Sequence, residues 1–474
     1  MSEIRKRIEA AAQLHIDQPA LINDTRSLTW RQLGSIARLE STKLRNLDGY
    51  DLGNIAICGP TSYDFFIAML SAFDLGVTAV LLDPRYPSAW LRQQLVSLGC
   101  QLYLHCGNAP TFDAPNLVRH AFKTSTDIDE TTEAADFSIF YNRLSTITFT
   151  SGSTGSAQPI LHLLRHHYYS ATGSNANLSV EPGDRWLLSL PLCHVGGLST
   201  IFRCLFGGGA IVLADKSVGM AEQIIRDKVT HLSLVPTQLV RLLQSDLVSE
   251  IADQLKVILV GGGTIPDHLL DNARRNGLNV YPTYGSTEMA SQIATAGAGH
   301  ENCMKALTYR ELKISDDSEI LVRGQTLGWG QKSGANWNLL NHTSGWFHTG
   351  DVGQIDDNGC LTVTGRRDNM FVSGGENIHP EQIELALTEI DGVDRVSVVP
   401  VEDDEFGHRP VAFVKMRNNG SAPDGDFLLS ELKSRLPHFM LPIAFLGWPK
   451  EYADPELKPN RSFFVKLASE LHGL

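Results

Sequence analysis

Residues 53–106 read GNIAICGPTSYDFFIAMLSAFDLGVTAVLLDPRYPSAWLRQQLVSLGCQLYLHC, and this stretch decides the fold class. Short apolar strands alternate in it with amphipathic helical segments, which is the pattern of an α/β sheet. The alternation returns at RWLLSLPL (185–192), GGAIVLAD (208–215), THLSLVP (230–236) and KVILVGGG (256–263), the last two followed by helical segments. We therefore predict a large N-terminal α/β domain over residues 1–365.

The pattern changes after about Gly359. Residues 360–401 read CLTVTGRRDNMFVSGGENIHPEQIELALTEIDGVDRVSVVPV, in which a short strand, a charged turn, a Gly-Gly loop and a helix follow in quick succession. This predicts a small α+β domain over residues 366–474. Its further strands are expected at RVSVVPV (395–401) and PVAFVKM (410–416), and its last helix at DFLLSELKSRL (426–436).

The composition excludes several classes of protein. With 42% hydrophobic and 20% charged residues among 474, the chain has the make-up of an ordinary globular protein. A net charge of -13 argues against non-specific nucleic-acid binding, which needs a basic surface. The first residues lack the apolar core of a signal peptide, and no apolar run is long enough for membrane insertion. We therefore expect a cytoplasmic protein.

The cysteines predict neither a zinc site nor a disulfide framework. They are scattered, without a CxxC pair or a cysteine–histidine cluster at zinc spacing. An odd number of cysteines in a reducing compartment needs no disulfide partner. We expect buried free thiols at all seven positions: Cys58, Cys100, Cys106, Cys193, Cys204, Cys303 and Cys360.

A first short motif could bind phosphate. TSGSTG (150–155) combines glycines with hydroxyl side chains directly after the apolar run STITF, as in loops that bind anions through backbone N–H groups. It has neither the lysine of a Walker A loop nor the GxGxxG spacing of a Rossmann fold. On this stretch alone, an ordinary surface turn is an equal alternative.

Two further motifs each present an acid in a glycine-containing turn. In YPTYGSTEMASQ (281–292), Glu288 could bind Mg²⁺, which prefers carboxylate and phosphate oxygens, and Tyr284 could stack on a base. In GWFHTGDVG (345–353), Asp351 could accept both hydroxyls of a ribose. Taken singly, Glu288 also fits a solvated loop acid, and Asp351 fits an Asx turn.

Together with GRRDNMFVSGGENIHPEQIE (365–384), these motifs resemble the acyl-adenylate-forming superfamily of acyl-CoA ligases, adenylation domains and luciferases, over essentially the whole chain. Within it, LPLCHVGGLSTIFR (190–203) and LVGGGTIP (259–266) are similar to the 2-succinylbenzoate:CoA ligases of menaquinone biosynthesis. This resemblance implies a large adenylate-forming domain, a mobile C-terminal domain, and an AMP-forming reaction with ATP, Mg²⁺, CoA and 2-succinylbenzoate. A homodimer is compatible with it.

The resemblance also implies roles for single residues. Glu288 would bind Mg²⁺, Asp368 would be the hinge, and Gly374 and Gly375 would meet the pantetheine arm of CoA. The acid would contact His194, Arg203, Ser291 and Gln292, with His194 also catalytic; Arg203 equally fits a surface arginine. The nucleotide would be bound by Thr150, Ser151, Gly152, Ser153, Thr154, Gly155, Gly261, Gly262, Gly263, Tyr284, Gly285, Thr287, Asp351 and Arg366.

The chain departs from the superfamily at two cations. Gln158 stands where the phosphate loop usually has a lysine, so pyrophosphate stabilisation would be weaker or would be supplied by another group such as Arg165 or His166. The C-terminal Gly-Lys motif is also absent; we favour Lys458 as the catalytic cation, with Arg461 second and Lys466 as a third candidate.

These departures leave alternatives open. One is a ligase, or a carrier-loading adenylation enzyme, for another acid. The other is a nucleotide or acyl-ligand binder without turnover.

Overall fold

The computed structural model describes residues 3–23, 26–124, 145–150, 157–263, 265–297, 300–334, 336–340, 345–403, 405–417, 424–450, 452 and 461–472. These residues form three β-sheets with flanking helices, which confirms the predicted α/β class. The strands, in chain order, are β1 (Pro19–Asn23), β2 (Arg26–Thr29), β3 (Asn54–Cys58), β4 (Thr78–Leu82), β5 (Cys100–His105), β6 (Val118–Ala121), β7 (Ser145–Phe149), β8 (Pro159–Leu163), β9 (Arg185–Leu188), β10 (Ala210–Leu213), β11 (His231–Leu234), β12 (Val257–Val260), β13 (Val280–Ser286), β14 (Ser291–Gly297), β15 (His300–Ala306), β16 (Arg310–Ile314), β17 (Glu319–Gly324), β18 (Gly330–Ser333), β19 (Asn336–Leu339), β20 (Phe347–Ile355), β21 (Leu361–Arg366), β22 (Phe371–Ser373), β23 (Glu376–Ile378), β24 (Val393–Asp403), β25 (Gly407–Met416) and β26 (Ala444–Gly447). The helices are α1 (Glu3–Gln13), α2 (Trp30–Arg45), α3 (Tyr63–Leu75), α4 (Ser88–Ser97), α5 (Leu164–Leu178), α6 (Val195–Gly207), α7 (Met220–Arg226), α8 (Pro236–Leu243), α9 (Val248–Ala252), α10 (Asp267–Arg275), α11 (Pro380–Thr388), α12 (Gly425–Lys433) and α13 (Arg461–His472).

Two large sheets form the N-terminal part of the protein. One has the strand order β19-β18-β8-β7-β4-β3-β5-β6, and the other the order β16-β17-β20-β21-β15-β14-β13-β12-β11-β9-β10-β1-β2. Strands β3 to β7 pair in parallel in the first sheet, as do β1 and β9 to β13 in the second. Their central strands are continuous apolar runs, such as VILV in β12, because both faces are buried.

Helices α3 and α6 lie in the hydrophobic core. Helix α3 contacts β3 and β4, and α6 contacts β9 and β10, and both are buried along most of their length. A helix that is apolar on all sides belongs inside a protein. Helix α6 therefore carries Arg203, its charged residue, into the core.

The C-terminal part is built on the third sheet, with the order β23-β22-β25-β24 and β26 beside β25. Strands β24 and β25 confirm the two predicted there. The prediction that DFLLSELKSRL is the last helix is wrong, since α13 follows α12. The reason is that β24 and β25 have two apolar faces: α11 and α12 cover Val398, whereas Phe464 of α13 covers Val399 and Phe413.

The prediction that all seven cysteines are free is wrong for two of them. Cys303 in β15 and Cys360, which immediately precedes β21, form a disulfide with a Cα–Cα separation of 4.8 Å. The strands are neighbours, with Met304 opposite Leu361, so the sheet brings together two thiols 57 positions apart. The other five cysteines are free and buried, as expected. In the described part of the chain, the helices are too short or too polar to cross a membrane.

Candidate active site

Seven candidate residues lie at or just beyond the carboxyl ends of parallel strands. Thr150 follows β7, His194 lies beyond β9, Gly261 to Gly263 follow β12, and Tyr284 and Gly285 lie late in β13. Ligand sites of open α/β sheets form at these ends. The topology therefore places these candidates at the sheet edges where such ligand sites form.

Asp351, Tyr284 and Arg366 form one hydrogen-bonded group. The register of β20 and β21 places Asp351 opposite Arg366, which donates from Nη1 to Oδ1 at 3.1 Å. The hydroxyl of Tyr284 donates to Oδ2 of Asp351 at 2.6 Å. Burial and the Asp351 charge raise the pKa of Tyr284 well above its usual value, so the phenol remains a donor. The structure thus joins the predicted ribose pair to the predicted adenine residue.

Glu288 lies with Thr287 in the turn between β13 and β14. This turn is fixed by Gly285, where a Cβ would lie 2.1 Å from the carbonyl oxygen of Ser291, so glycine alone fits. The backbone carbonyl of Glu288 accepts the N–H of Gly328 at 2.7 Å. Burial raises the pKa of the Glu288 carboxyl, and no lysine or arginine in the described ranges forms a salt bridge with it. A desolvated acid without an ion pair fits a divalent cation such as Mg²⁺.

The phosphate-loop residues Ser151 to Gly155 lie outside the described residues, but both ends of the loop are defined. The N–H of Thr150 donates to the carbonyl of Gln158, and the N–H of Gln158 donates to Oγ1 of Thr150, both at 3.0 Å. Burial lowers the pKa of His166 to about 3, so it is neutral and is wrong as a source of positive charge. Of the two proposed substitutes for the missing lysine, only Arg165 is a cation, and it is exposed.

Arg203, Ser291 and Gln292 meet as the sequence predicts for an acid-binding pocket. Nη2 of Arg203 donates to Oγ of Ser291 at 3.2 Å and to Oε1 of Gln292 at 3.0 Å. Arg203 is 2% exposed, so its interpretation as a surface arginine is wrong. Its Nε has no partner, and no carboxylate in the described ranges pairs with it. Burial lowers its pKa to about 10, which leaves it charged at neutral pH.

The sequence analysis missed Asp83 and Arg85, which follow β4. Oδ2 of Asp83 lies 3.1 Å from Nε2 of His194, the residue that precedes α6. Arg85 donates to the same oxygen from Nη2 at 2.7 Å. Burial raises the pKa of Asp83, but the hydrogen bonds from His194 and Arg85 outweigh it and lower the pKa overall. The available signal was an acid directly after the apolar strand TAVLL.

Asp83, Cys193 and His194 also place three potential metal-ligand atoms within 4.8 Å of one another. The Asp83 carboxylate already accepts hydrogen bonds from the guanidinium of Arg85 on both oxygens. Burial raises the pKa of the Cys193 thiol well above its usual value, which keeps it protonated and a poor ligand. A metal therefore fits this cluster less well than it fits Glu288.

The C-terminal cation candidates that the structure describes differ in burial and in ion pairing. Lys458 lies outside the described residues. Arg461 begins α13 and forms ion pairs with Glu384 at 2.8 Å and Glu381 at 3.3 Å, both on α11. Lys466 is 81% exposed and lies 4.0 Å from Glu470. Arg461 therefore ties two helices of the small domain together, and Lys466 faces solvent.

The hinge candidate lies between the second and third sheets, and the CoA candidates lie in a hairpin of the third sheet. Asp368 is in the 3₁₀ turn Arg367–Asn369, after the last strand of the second sheet, and accepts a hydrogen bond from Nη2 of Arg366 at 3.0 Å. Gly374 and Gly375 form the tip of the β22–β23 hairpin, with φ of 58° and 89°. Both conformations are left-handed and favour glycine.

Comparison with known proteins agrees with this geometry. The family profile described as AMP-binding enzyme matches residues 8–330, and the AMP-binding enzyme C-terminal domain matches residues 382–448. The 2-succinylbenzoate--CoA ligase of Salmonella typhimurium is 35% identical over 399 residues, covering 83% of each chain.

Solved structures give the same result. A single-substitution variant of Escherichia coli MenE with bound OSB-AMS superposes with a TM-score of 0.82 at 29% identity, and the match covers 99% of both chains. The o-succinylbenzoate CoA synthetase MenE of Bacillus subtilis has been solved with the acyl-adenylate intermediate OSB-AMP, at a TM-score of 0.77, 27% identity and coverages of 98% and 96%. It has also been solved with ATP and magnesium, at a TM-score of 0.75, 27% identity and coverages of 94% and 96%.

Proposed function

The chain belongs to the AMP-binding enzyme family, and from this premise we propose that it is an ATP-dependent 2-succinylbenzoate–CoA ligase of menaquinone biosynthesis. It joins 2-succinylbenzoate to CoA through an acyl adenylate and releases pyrophosphate and AMP. The observation that carries the choice of acid is Arg203, a buried cation that no carboxylate of the described residues pairs with. A dicarboxylic acid can be adenylated at one carboxylate and bound by Arg203 at the other.

In the first half-reaction, a substrate carboxylate oxygen attacks the α-phosphorus of ATP and pyrophosphate leaves. The carboxylate is already a nucleophile, so the protein mainly positions the reactants and neutralises charge. Asp351 and Arg366 bind the ribose, while Tyr284 lies beside the base. Glu288 would hold Mg²⁺, which supplies positive charge to the phosphate oxygens.

Residues on three further segments complete the nucleotide site. The phosphate loop and Thr287 bind phosphate oxygens, and Gly261 to Gly263 follow the adenine and the acyl group. Gln158 closes the base of the loop through its backbone, a role that needs no charge. Replacement of the usual lysine by glutamine is therefore compatible with a correctly formed loop.

In the second half-reaction, the thiol of CoA attacks the acyl carbon, a C–S bond forms, and AMP leaves. We infer that residues 366–474 turn as a domain about Asp368, which lies in a short turn between two sheets. Gly374 and Gly375 then present backbone to the pantetheine arm. Lys458 is the catalytic cation of the first step, because Arg461 is already ion-paired and Lys466 is directed to solvent.

Lys458→Ala tests this assignment. Adenylation should slow far more than thioester formation, if the ammonium group stabilises charge on the α-phosphate. Arg461→Ala is the control, since it should lower the thermal stability of the small domain. Normal adenylation in the Lys458 variant would move the role to another cation.

The function is tested by AMP and pyrophosphate release with MgATP and CoA. We expect release with 2-succinylbenzoate and little with benzoate, acetate or a medium-chain fatty acid. Release with a different acid would keep the mechanism and change the substrate. Nucleotide binding without release from any acid would indicate a binder without turnover.

Cellular location and assembly follow from the same proposal. We place the enzyme in the cytoplasm, where ATP and CoA are at hand, and propose a homodimer. Fluorescence microscopy of a tagged chain tests the first statement. Light scattering after size-exclusion chromatography tests the second, with a single 52.0 kDa species arguing against the dimer.

A further inference from the structure

Asp83 and His194 connect the two large sheets at the candidate active site. Asp83 follows β4 of the eight-stranded sheet, and His194 lies between β9 and α6 of the thirteen-stranded sheet. A second bond joins the β9–α6 loop to the eight-stranded sheet, from the N–H of Leu192 to Oγ1 of Thr61, which follows β3, at 3.1 Å. The imidazole therefore has a fixed partner that comes from the other large sheet.

The bonding of Asp83 determines which nitrogen of His194 carries a proton. Arg85 donates to Oδ1 from its backbone N–H and from Nε, both at 2.9 Å, and donates to Oδ2 from Nη2 at 2.7 Å. The buried carboxylate is thus ionised and can only accept hydrogen bonds. The remaining contact, to Nε2 of His194 at 3.1 Å, requires the proton on Nε2. In the neutral ring, Nδ1 then keeps its lone pair.

The backbone around His194 is equally constrained. A Cβ at Gly197 would lie 2.2 Å from the carbonyl oxygen of Pro191, so the first turn of α6 packs directly on the preceding loop. The side chain of His194 is 35% exposed, and Nδ1 has no hydrogen-bond partner in the part of the chain that the structure describes. A ring fixed by its backbone and by one carboxylate presents its free nitrogen in one direction.

We propose that Asp83 is a positioning residue for the thioester step of the proposed function, because it holds His194 with Nδ1 ready to accept the proton of the CoA thiol. As the thiol sulfur bonds to the acyl carbon, its proton passes to Nδ1 and the bond from the acyl carbon to AMP breaks. The imidazolium that forms lies against a buried carboxylate, which stabilises its charge. Asp83 acts only through His194 and contacts no substrate.

Three variants test the proposal: Asp83→Asn, His194→Ala and the double variant. Thioester formation is followed in a single turnover from preformed acyl adenylate and CoA, and adenylation by pyrophosphate exchange. We expect Asp83→Asn to slow thioester formation by about 10- to 100-fold and adenylation by less than about 3-fold. Because Asp83 acts through His194, adding Asp83→Asn to His194→Ala should change the rate by less than about 3-fold.

Asp184→Asn is a matched control. Asp184 is 2% exposed and lies 3.9 Å from His231, but it precedes β9, at the amino ends of the strands and away from the site. This variant should lower thermal stability and leave both half-reactions per folded molecule unchanged. Equal losses of both half-reactions in Asp83→Asn, or independent effects in the double variant, would overturn the proposal.

A measurement without substrate separates this inference from the proposed function. In ¹⁵N-histidine-labelled protein, the His194 signals are assigned by their loss in His194→Ala. Nε2 should carry the proton in the wild type, and Asp83→Asn should mix the two tautomers. An unchanged tautomer of His194 in Asp83→Asn would reject Asp83 as the positioning residue, even in an active enzyme. If no acid reacts at all, the ligase function is rejected, and the NMR measurement still decides whether Asp83 sets the tautomer.

Discussion

Arg203→Leu should remove the selectivity for an acid with two carboxylates and leave the fold intact. Arg203 is enclosed in α6 and donates to the neutral groups of Ser291 and Gln292. Its guanidinium also lies 5.2 Å from the ring of Trp186. Leucine keeps the apolar contacts of the helix and removes the charge.

The structure determines how large the effects on stability and on selectivity should be. Burial lowers the pKa of Arg203 to about 10, well below its ordinary value, and one pKa unit corresponds to about 1.4 kcal/mol, so retaining the charge costs about 3 kcal/mol without ligand. Leucine removes this cost, but it also removes the hydrogen bonds of Arg203 to Ser291 and Gln292. The two effects offset each other, and we expect the free energy of unfolding to change by less than about 2 kcal/mol. Removing one partner of a buried charge pair costs about 2–5 kcal/mol, so kcat/KM for 2-succinylbenzoate should fall about 30-fold to several thousand-fold.

The assay compares 2-succinylbenzoate with benzoate and 4-oxo-4-phenylbutanoate, each of which has one of its two carboxylates. In Arg203→Leu, the ratio of kcat/KM for 2-succinylbenzoate to kcat/KM for either mono-acid should fall steeply. The kcat/KM values for the two mono-acids themselves should change little. Arg310→Leu is the control, because Arg310 is buried but donates to the backbone carbonyls of Ser170, Gln292 and Thr308. It should lose stability without losing selectivity. Equal loss for all three acids in a folded Arg203 variant would refute the reasoning.

The remaining predictions concern the nucleotide, the disulfide and acid stability. Tyr284→Phe removes the donor to Asp351, and because hydrogen bonds to charged groups contribute about 1.5–3 kcal/mol, the KM for ATP in steady-state assays should rise about 10- to 100-fold. Cys303→Ser should destabilise the protein by about 2–4 kcal/mol and abolish the effect of dithiothreitol on the thermal unfolding midpoint. Burial lowers the pKa of His162 to about 4 and that of His166 to about 3, so below pH 6.5 the unfolded chain takes up protons first. Each histidine should cost about 2 kcal/mol at pH 5, and His162→Phe should reduce the fall in unfolding midpoint between pH 7 and pH 5.

The alternation of apolar runs predicts the large sheets well because each parallel strand is buried on both faces and is bounded by polar turns. THLSLVP and KVILVGGG show this, as β11 and β12 coincide with their apolar centres. The pattern was less informative for α13. The apolar residues of α13 are mixed with charged ones, so the sequence pattern alone does not predict a buried helix face. Their role is clear only from the structure, in which they pack on Val399 and Phe413. The disulfide of Cys303 depends in the same way on the pairing of β15 with β21, which local sequence does not encode.

The candidate site residues also differ in whether the local sequence or only the three-dimensional structure reveals them. Residues within a short motif, such as Glu288 in the turn after β13 and Asp351 in β20, can be recognised from the local spacing of glycine and polar side chains. Arg203 is different, since its importance lies in what is missing around it. A helix buries the cation, neutral groups orient it, and no acid of the described residues neutralises it. Such an unpaired charge is costly to the free protein, and an anionic group of the substrate removes that cost only when it binds. Specificity for a second carboxylate therefore arises from the three-dimensional environment of Arg203, which the sequence places on a helix without showing that the helix is buried.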